Sequence, residues 1–112
     1  MNKSQFFNAP PYFDGSNYAF WKLRMHVFLC AIDEMVWDSV ENGNVRPTTA
    51  KSKWDKAALA LANANSKTIN TIFYGVSIDE FHRISHVKTA KEAWTILETP
   101  YEGTKKVKDT KL

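Results

Sequence analysis

The sequence is short of cysteine and has no long apolar run. Its single cysteine, Cys30, cannot form an internal disulfide, which excludes a disulfide-stabilised secreted scaffold and agrees with a reducing compartment. The longest nearly apolar stretch, Val27 to Ile32, is far below the ~20 residues that a membrane-spanning helix needs. Residues 1–10 hold one lysine and lack the apolar centre of a secretion signal. We therefore expect a cytoplasmic protein, with a nuclear location as the other option, that has no membrane partner.

Patterns that support catalysis or ligand binding are also missing. The four glycines are isolated residues at the ends of predicted elements, so no glycine-rich loop is available to hold a phosphate. His82 and His86 have the i, i+4 spacing of a metal-binding pair, but no glutamate lies between them, and a solvated pair is the better interpretation. Cys30 stands in an apolar helix and is predicted to be a buried side chain rather than a nucleophile. The sequence thus predicts a non-enzyme with no catalytic residue, metal or cofactor.

An excess of positive charge is present only at the end of the chain. The net charge of the chain is +3, and residues 104–112 alone account for it, with four lysines and one aspartate. The remaining residues are neutral in sum and show no basic stripe of the kind that a nucleic-acid-binding surface usually has. We interpret the terminal lysines as a solvated helix face, with weak, non-specific RNA attraction as the less favoured alternative.

Apolar and aromatic residues at helical spacing dominate the rest of the sequence. A hydrophobic fraction of 44% with 13% aromatics is typical of one folded domain and not of a disordered tail. No stretch alternates with the two-residue period of a strand. The predicted fold is all-α, a compact bundle of about five helices. The helices are predicted over residues 18–32, 34–41, 51–74, from 78 and from 90 to about 100. The side chain of Ser16 or Asn17 is predicted to cap the first helix. The last helix is predicted to place Ala90, Ala93, Trp94 and Leu97 inward. Two of these starts carry capping boxes, Ser77 with Glu80 and Thr89 with Glu92.

The first predicted helix has two apolar faces, and a small domain has few elements that can cover the second one. Prolines 10 and 11 forbid a helix before it, so residues 1–13 are predicted to be an extended aromatic segment that covers its second face. The helical domain is then assigned to residues 14–103, and residues 104–112 to the start of a further, truncated helix. Of the tryptophans, we place Trp21, Trp54 and Trp94 in the core and Trp37 at a half-exposed contact. The candidate groove or interface residues are Phe6, Phe7, Tyr12, Phe13, Phe20, Leu23, Val27 and Trp37.

Five groups of residues follow one another in a specific order along the chain. They are Phe13-x-Gly15-x-Asn17-Tyr18-x-x-Trp21, then Trp37 with Val40 and Gly43, then Trp54, then Ala90-Lys91-Glu92-Ala93-Trp94-x-x-Leu97, and finally Tyr101-Glu102-Gly103. This set resembles the N-terminal part of the Gag protein of copia-type LTR retrotransposons, and the resemblance covers residues 12–112.

The resemblance implies a capsid-like N-terminal lobe whose partners are other Gag subunits, in a particle that packages the element's RNA. The family's packaging contacts are ascribed to a zinc knuckle that this chain does not contain, so RNA binding is not expected of this chain alone. The matching positions look like fold determinants rather than catalytic residues: Phe13, Gly15, Tyr18, Trp21, Trp54, Trp94 and Leu97. The predicted function is therefore structural, in self-assembly. The alternative is a domesticated Gag-like module that binds a peptide or protein partner in a hydrophobic groove along the first helix.

Overall fold

The computed structural model describes residues 9–44 and 46–102 and confirms the all-α prediction for them. The predicted roles of Phe6, Phe7, Gly103 and residues 104–112 lie outside these residues. The described part contains five α-helices and one short 3₁₀ helix, and no strand. The helices are α1 (Tyr18–Ile32), α2 (Glu34–Asn42), α3 (Lys56–Tyr74), α4 (Ile78–Ile84) and α5 (Ala90–Glu102), with the 3₁₀ helix at Lys51–Lys53.

Side-chain caps determine where most of these helices begin. The hydroxyls of Ser77 and Thr89 accept the backbone N–H groups of Glu80 and Glu92, so the hydroxyl half of both predicted capping boxes is present. Asp55 accepts the N–H of Ala58 at 2.8 Å. This cap starts α3 five residues after the predicted start and leaves the 3₁₀ helix separate, so the prediction of one helix from residue 51 to 74 is wrong.

The start of α1 differs from the prediction as well. Neither Ser16 nor Asn17 caps the helix with its side chain. The amide of Asn17 instead donates to the carbonyl oxygen of Tyr12 at 2.9 Å, and the hydroxyl of Ser16 donates to Asp14. These side chains stabilise the turn before the helix, in which Gly15 adopts a φ of +97°.

The core lies between α1, α2, α3 and α5. The α5 side chains predicted to point inward are all buried, and Trp94 stacks on Trp21 with ring centroids 5.2 Å apart. Trp37 is half-buried, as predicted, and meets Trp94 edge to face. Trp54 is not in this core, which corrects the prediction. Its ring lies under the guanidinium of Arg46, and its indole N–H donates to Thr49 in the connection before α3. The buried apolar residues are Phe13, Trp21, Met25, Leu29, Val36, Val40, Ile72, Val76, Ile84, Ala90, Ala93, Trp94 and Leu97.

Phe13 belongs to the core, so its prediction as a groove or interface residue is wrong. Its side chain is 0% exposed and stacks on Trp21 at 4.7 Å. Its backbone pairs with the chain after α3: its N–H donates to Gly75, and its carbonyl oxygen accepts from Ser77. A Cβ on Gly75 would lie 2.7 Å from the carbonyl oxygen of Pro11, so this close approach requires glycine. The segment before α1 is therefore extended, as predicted, but described residues 9–13 pack beside α3 and not over the second face of α1.

Polar contacts fix the ends of the bundle. Asn65 is buried in α3 and holds the start of α5, because its amide accepts from the N–H of Ala90 and donates to the carbonyl oxygen of Lys88. At the opposite end of α5, the carboxylate of Glu102 accepts from both the Tyr18 hydroxyl and the Lys22 ammonium of α1. Burial, together with this hydrogen bond and the carboxylate charge, raises the pKa of Tyr18.

Candidate interaction surfaces

The outer face of α1 carries three large apolar side chains that no described residue covers. Phe20, Leu23 and Val27 are 62%, 67% and 62% exposed. Their i, i+3, i+7 spacing places them in one row about 10 Å long. We call these three residues the α1 stripe. Single exposed apolar residues are ordinary on protein surfaces, but a continuous row on one helix is typical of a contact surface.

Arg24 is the charged residue that borders the α1 stripe most closely. Its guanidinium lies 5.4 Å from the centre of the Phe20 ring, which is a cation–π distance. Among the described residues it forms no ion pair. Helix α1 contains Lys22, Arg24 and His26 and no acidic residue, so the edge of the stripe is positive.

A cleft opens beside the stripe, between α1, α2 and α5. Its volume is about 480 Å³, which is within the range of small-ligand and peptide side-chain sites. Leu23 and Trp37, both predicted as groove residues, line this cleft together. His26 stacks on Trp37 at 3.9 Å and forms part of the α1 wall. The rim of the cleft combines acidic and basic side chains, namely Lys22, Glu41, Lys91 and Glu98.

Among the candidates that the structure describes, Tyr12 lies apart from the cleft. Tyr12 is 57% exposed but does not line the cleft. A second cleft of about 540 Å³ lies between α1 and α3, where Ala9, Pro10 and Tyr74 form parts of its wall. The described segment before α1 is thus close to the end of α3, away from the stripe that it was predicted to cover.

Acidic and basic side chains occupy separate parts of the surface, although the net charge of residues 1–103 is zero. The exposed side of α2 carries Glu34, Asp38 and Glu41, and α2 contains no basic residue. The connection into α3 carries Arg46, Lys51 and Lys53, and α3 begins with Lys56; all four side chains are exposed. We call the first set the acidic face and the second the basic turn. In residues 9–44 and 46–102, none of these seven side chains forms an ion pair. The net charge summed over short windows of the sequence detects this separation, whereas the net charge summed over residues 1–103 does not.

The residues that the sequence analysis weighed for a nucleophile or a metal site are Cys30, His82 and His86. Cys30 is exposed, which contradicts its prediction as a buried residue, because it lies on the outer side of α1 next to the stripe. His82 and His86 do not share a helix, since α4 ends at Ile84. No cluster of three metal-binding side chains occurs in the described part of the chain. Within the same residues, no helix combines the length and apolarity that crossing a membrane requires.

A comparison of the chain with protein-family models gives no match, and comparisons with curated proteins and with solved structures give none either.

Proposed function

We propose that this chain is a structural, capsid-like domain of the Gag type, which acts in the cytoplasm by contacts between its own copies and performs no catalysis. Two observations support the proposal: the ordered set of residues that resembles copia-type Gag, and the all-α fold. The observation that carries it is the α1 stripe, three large apolar side chains that are exposed together in one row, whereas Tyr74 on α3 and Ile78 on α4 are exposed singly.

The size of the stripe fits weak contacts that are repeated many times. Three side chains cover far less than the ~800 Å² per partner that a stable protein–protein interface buries. A contact of this size gives low affinity in a pair of copies and gains strength when many copies assemble, because each additional contact forms within an existing particle. Self-assembly is therefore a better function for this stripe than a permanent dimer.

The test is light scattering after size exclusion over a range of protein concentrations, with the wild type and two variants. Leu23→Glu places a carboxylate in the centre of the stripe, and Ile78→Glu is the matched control, since Ile78 is 73% exposed on α4. We expect concentration-dependent association of the wild type and of the control, and an association constant about tenfold or more lower for Leu23→Glu. A wild type that stays monomeric at every concentration refutes the proposal.

A second candidate function is the binding of a peptide in the cleft beside the stripe. The cleft favours it because Leu23, His26 and Trp37 offer an apolar and aromatic wall to an inserted side chain. Titration of the ¹⁵N-labelled chain with peptides that carry a leucine or phenylalanine tests it. Binding shifts the signals of Leu23 and the indole of Trp37, and the absence of shifts at both positions excludes this function.

A further inference from the structure

The basic turn is a structured segment whose four cations form no ion pair with any residue that the structure describes. Its 3₁₀ helix is closed by the N–H of Lys53, which donates to Ala50 at 2.8 Å, and by the N–H of Trp54, which donates to Lys51 at 3.1 Å. The ring of Trp54 contacts Arg46 on one side of this structure. The nearest carboxylate in sequence, that of Asp55, is engaged in the cap of α3. Four like charges are thus held close together, which costs free energy in an isolated domain.

The acidic face has the opposite charge, and in the described residues its carboxylates form no ion pair, although Asp38 accepts a hydrogen bond from the amide of Asn42. Its three carboxylates follow i, i+4, i+7 spacing on one side of α2, so they form a row. Within residues 9–44 and 46–102 the two sets form no ion pair with each other. The carbonyl oxygen of Val36 in α2 lies 3.1 Å from the Thr68 hydroxyl, and Thr68 is twelve residues, or about 18 Å, along α3 from Lys56. Lys56 and the acidic face belong to the same pair of packed helices, so the distance between them is fixed.

We infer that the basic turn of one copy binds the acidic face of α2 in a second copy. The inference rests on the proposed self-assembly and names a second contact for it, distinct from the α1 stripe. Charge complementarity carries it: within residues 9–44 and 46–102 the four cations of the basic turn and the three carboxylates of the acidic face form no ion pair, so each surface offers charge that the other can neutralise. The two surfaces differ, so a copy that binds a different neighbour through each of them makes a head-to-tail contact. Repetition of such a contact produces rings or open chains rather than closed pairs.

A second copy fits the basic turn better than a nucleic acid does. Residues 9–102 hold eleven acidic and ten basic side chains, so the body as a whole offers a polyanion no net attraction. The acidic face lies on the same pair of helices and repels a long phosphate backbone that follows the surface beyond the turn. An acidic helix face of limited length meets the cations without that penalty.

The test uses charge reversal in three variants, measured by sedimentation velocity at about 0.01 M and about 1 M salt, where the screening lengths are about 30 Å and 3 Å. The first variant is Lys51→Glu with Lys53→Glu, and the second is Asp38→Lys with Glu41→Lys. The third combines all four substitutions: it keeps the net charge of the wild type and exchanges the signs of the 51/53 pair and the 38/41 pair, while Arg46, Lys56 and Glu34 keep their charges. Lys67→Glu with Lys88→Glu is the control, since both lysines are exposed and lie outside the basic turn.

We expect the wild type to self-associate more at low salt than at high salt. Each double variant weakens that association about tenfold, the fourfold variant regains it, and the control retains it. Recovery in the fourfold variant also shows that the substitutions leave the fold intact. The stripe variant Leu23→Glu is measured in parallel, so that the two contacts are separated.

Other outcomes overturn the inference. If Leu23→Glu abolishes self-association while the charge reversals leave it unchanged, the head-to-tail contact is wrong and the proposed function stands. If the wild type never associates, both are wrong. If the fourfold variant does not recover, and the wild-type basic turn binds a uridine oligonucleotide that Lys51→Glu with Lys53→Glu does not bind, the partner is single-stranded nucleic acid and not a second copy.

Discussion

Replacement of Phe13 by alanine is the sharpest test of how the segment before α1 functions. The ring is completely buried and has aromatic neighbours in Trp21, Tyr18 and Tyr101. A buried Phe→Ala substitution costs about 3–5 kcal/mol, and the stacked neighbour places this one in the upper part of that range. A chain of this length has a total stability of roughly 6–17 kcal/mol, so the loss is large.

Urea unfolding followed by circular dichroism at 222 nm measures the effect. With an m-value of about 1.5 kcal/mol per molar urea, Phe13→Ala lowers the midpoint by about 2–3 M. Tyr12→Ala is the matched control, because Tyr12 is the adjacent residue and is largely exposed, and its substitution costs less than about 0.5 kcal/mol. Phe13→Leu keeps much of the buried volume and gives an intermediate loss, should the alanine variant not fold. A loss below about 1 kcal/mol for Phe13→Ala refutes the assignment of this residue to the core.

Three further predictions follow from particular contacts. Gly75→Ala places a methyl group against the carbonyl oxygen of Pro11 and lowers the stability by about 1–3 kcal/mol in the same urea assay; an unchanged midpoint contradicts the close approach. Asn65→Leu leaves the buried N–H of Ala90 without its acceptor and costs about 2–4 kcal/mol, with faster amide exchange at the start of α5 as the specific sign. Because the pKa of Tyr18 is raised in the folded state, that state retains the hydroxyl proton where the unfolded state loses it. The stability that Tyr18 contributes is therefore complete below about pH 10 and decreases above it, and Tyr18→Phe removes this part of the alkaline decrease in thermal midpoint.

The sequence predicts correctly those helices in which the capping residues and the apolar spacing agree with the packing. In α5, the hydroxyl of Thr89 precedes a row of apolar residues at helical spacing, and all four inward predictions, from Ala90 to Leu97, are correct. In α3 the apolar period is misleading, because Asn65 and Thr68 occupy buried positions where their side chains satisfy backbone groups. A pattern of apolar residues contains no information on such hydrogen bonds, which depend on elements distant in sequence.

The candidate surface was predictable only in part, for a related reason. The second apolar face of α1 is visible in the sequence, and Leu23 and Trp37 do meet at one cleft. Core and contact residues nevertheless have the same composition. The apolar pattern alone therefore did not separate Phe13, which is fully buried, from Phe20, which is largely exposed; only the family resemblance marked Phe13 as a fold determinant. The difference arises from the backbone pairing of Phe13 with residues 75–77, a contact between distant parts of the chain.

The long-range contacts around Phe13, which include its backbone pairing with residues 75–77, also affect the rates of folding and unfolding. The Tyr101 hydroxyl donates to the carbonyl oxygen of Gly15 across 86 residues, whereas most other contacts in a helical bundle are local. Closing a loop of that length costs roughly 4 kcal/mol of chain entropy. The contact therefore stabilises the fold only when other contacts have already brought its two partners together. We therefore expect the helices to pack first and the aromatic residues around Phe13 to join last. Substitutions there will accelerate unfolding and leave the refolding rate nearly unchanged, so this small cluster determines how long the native state persists.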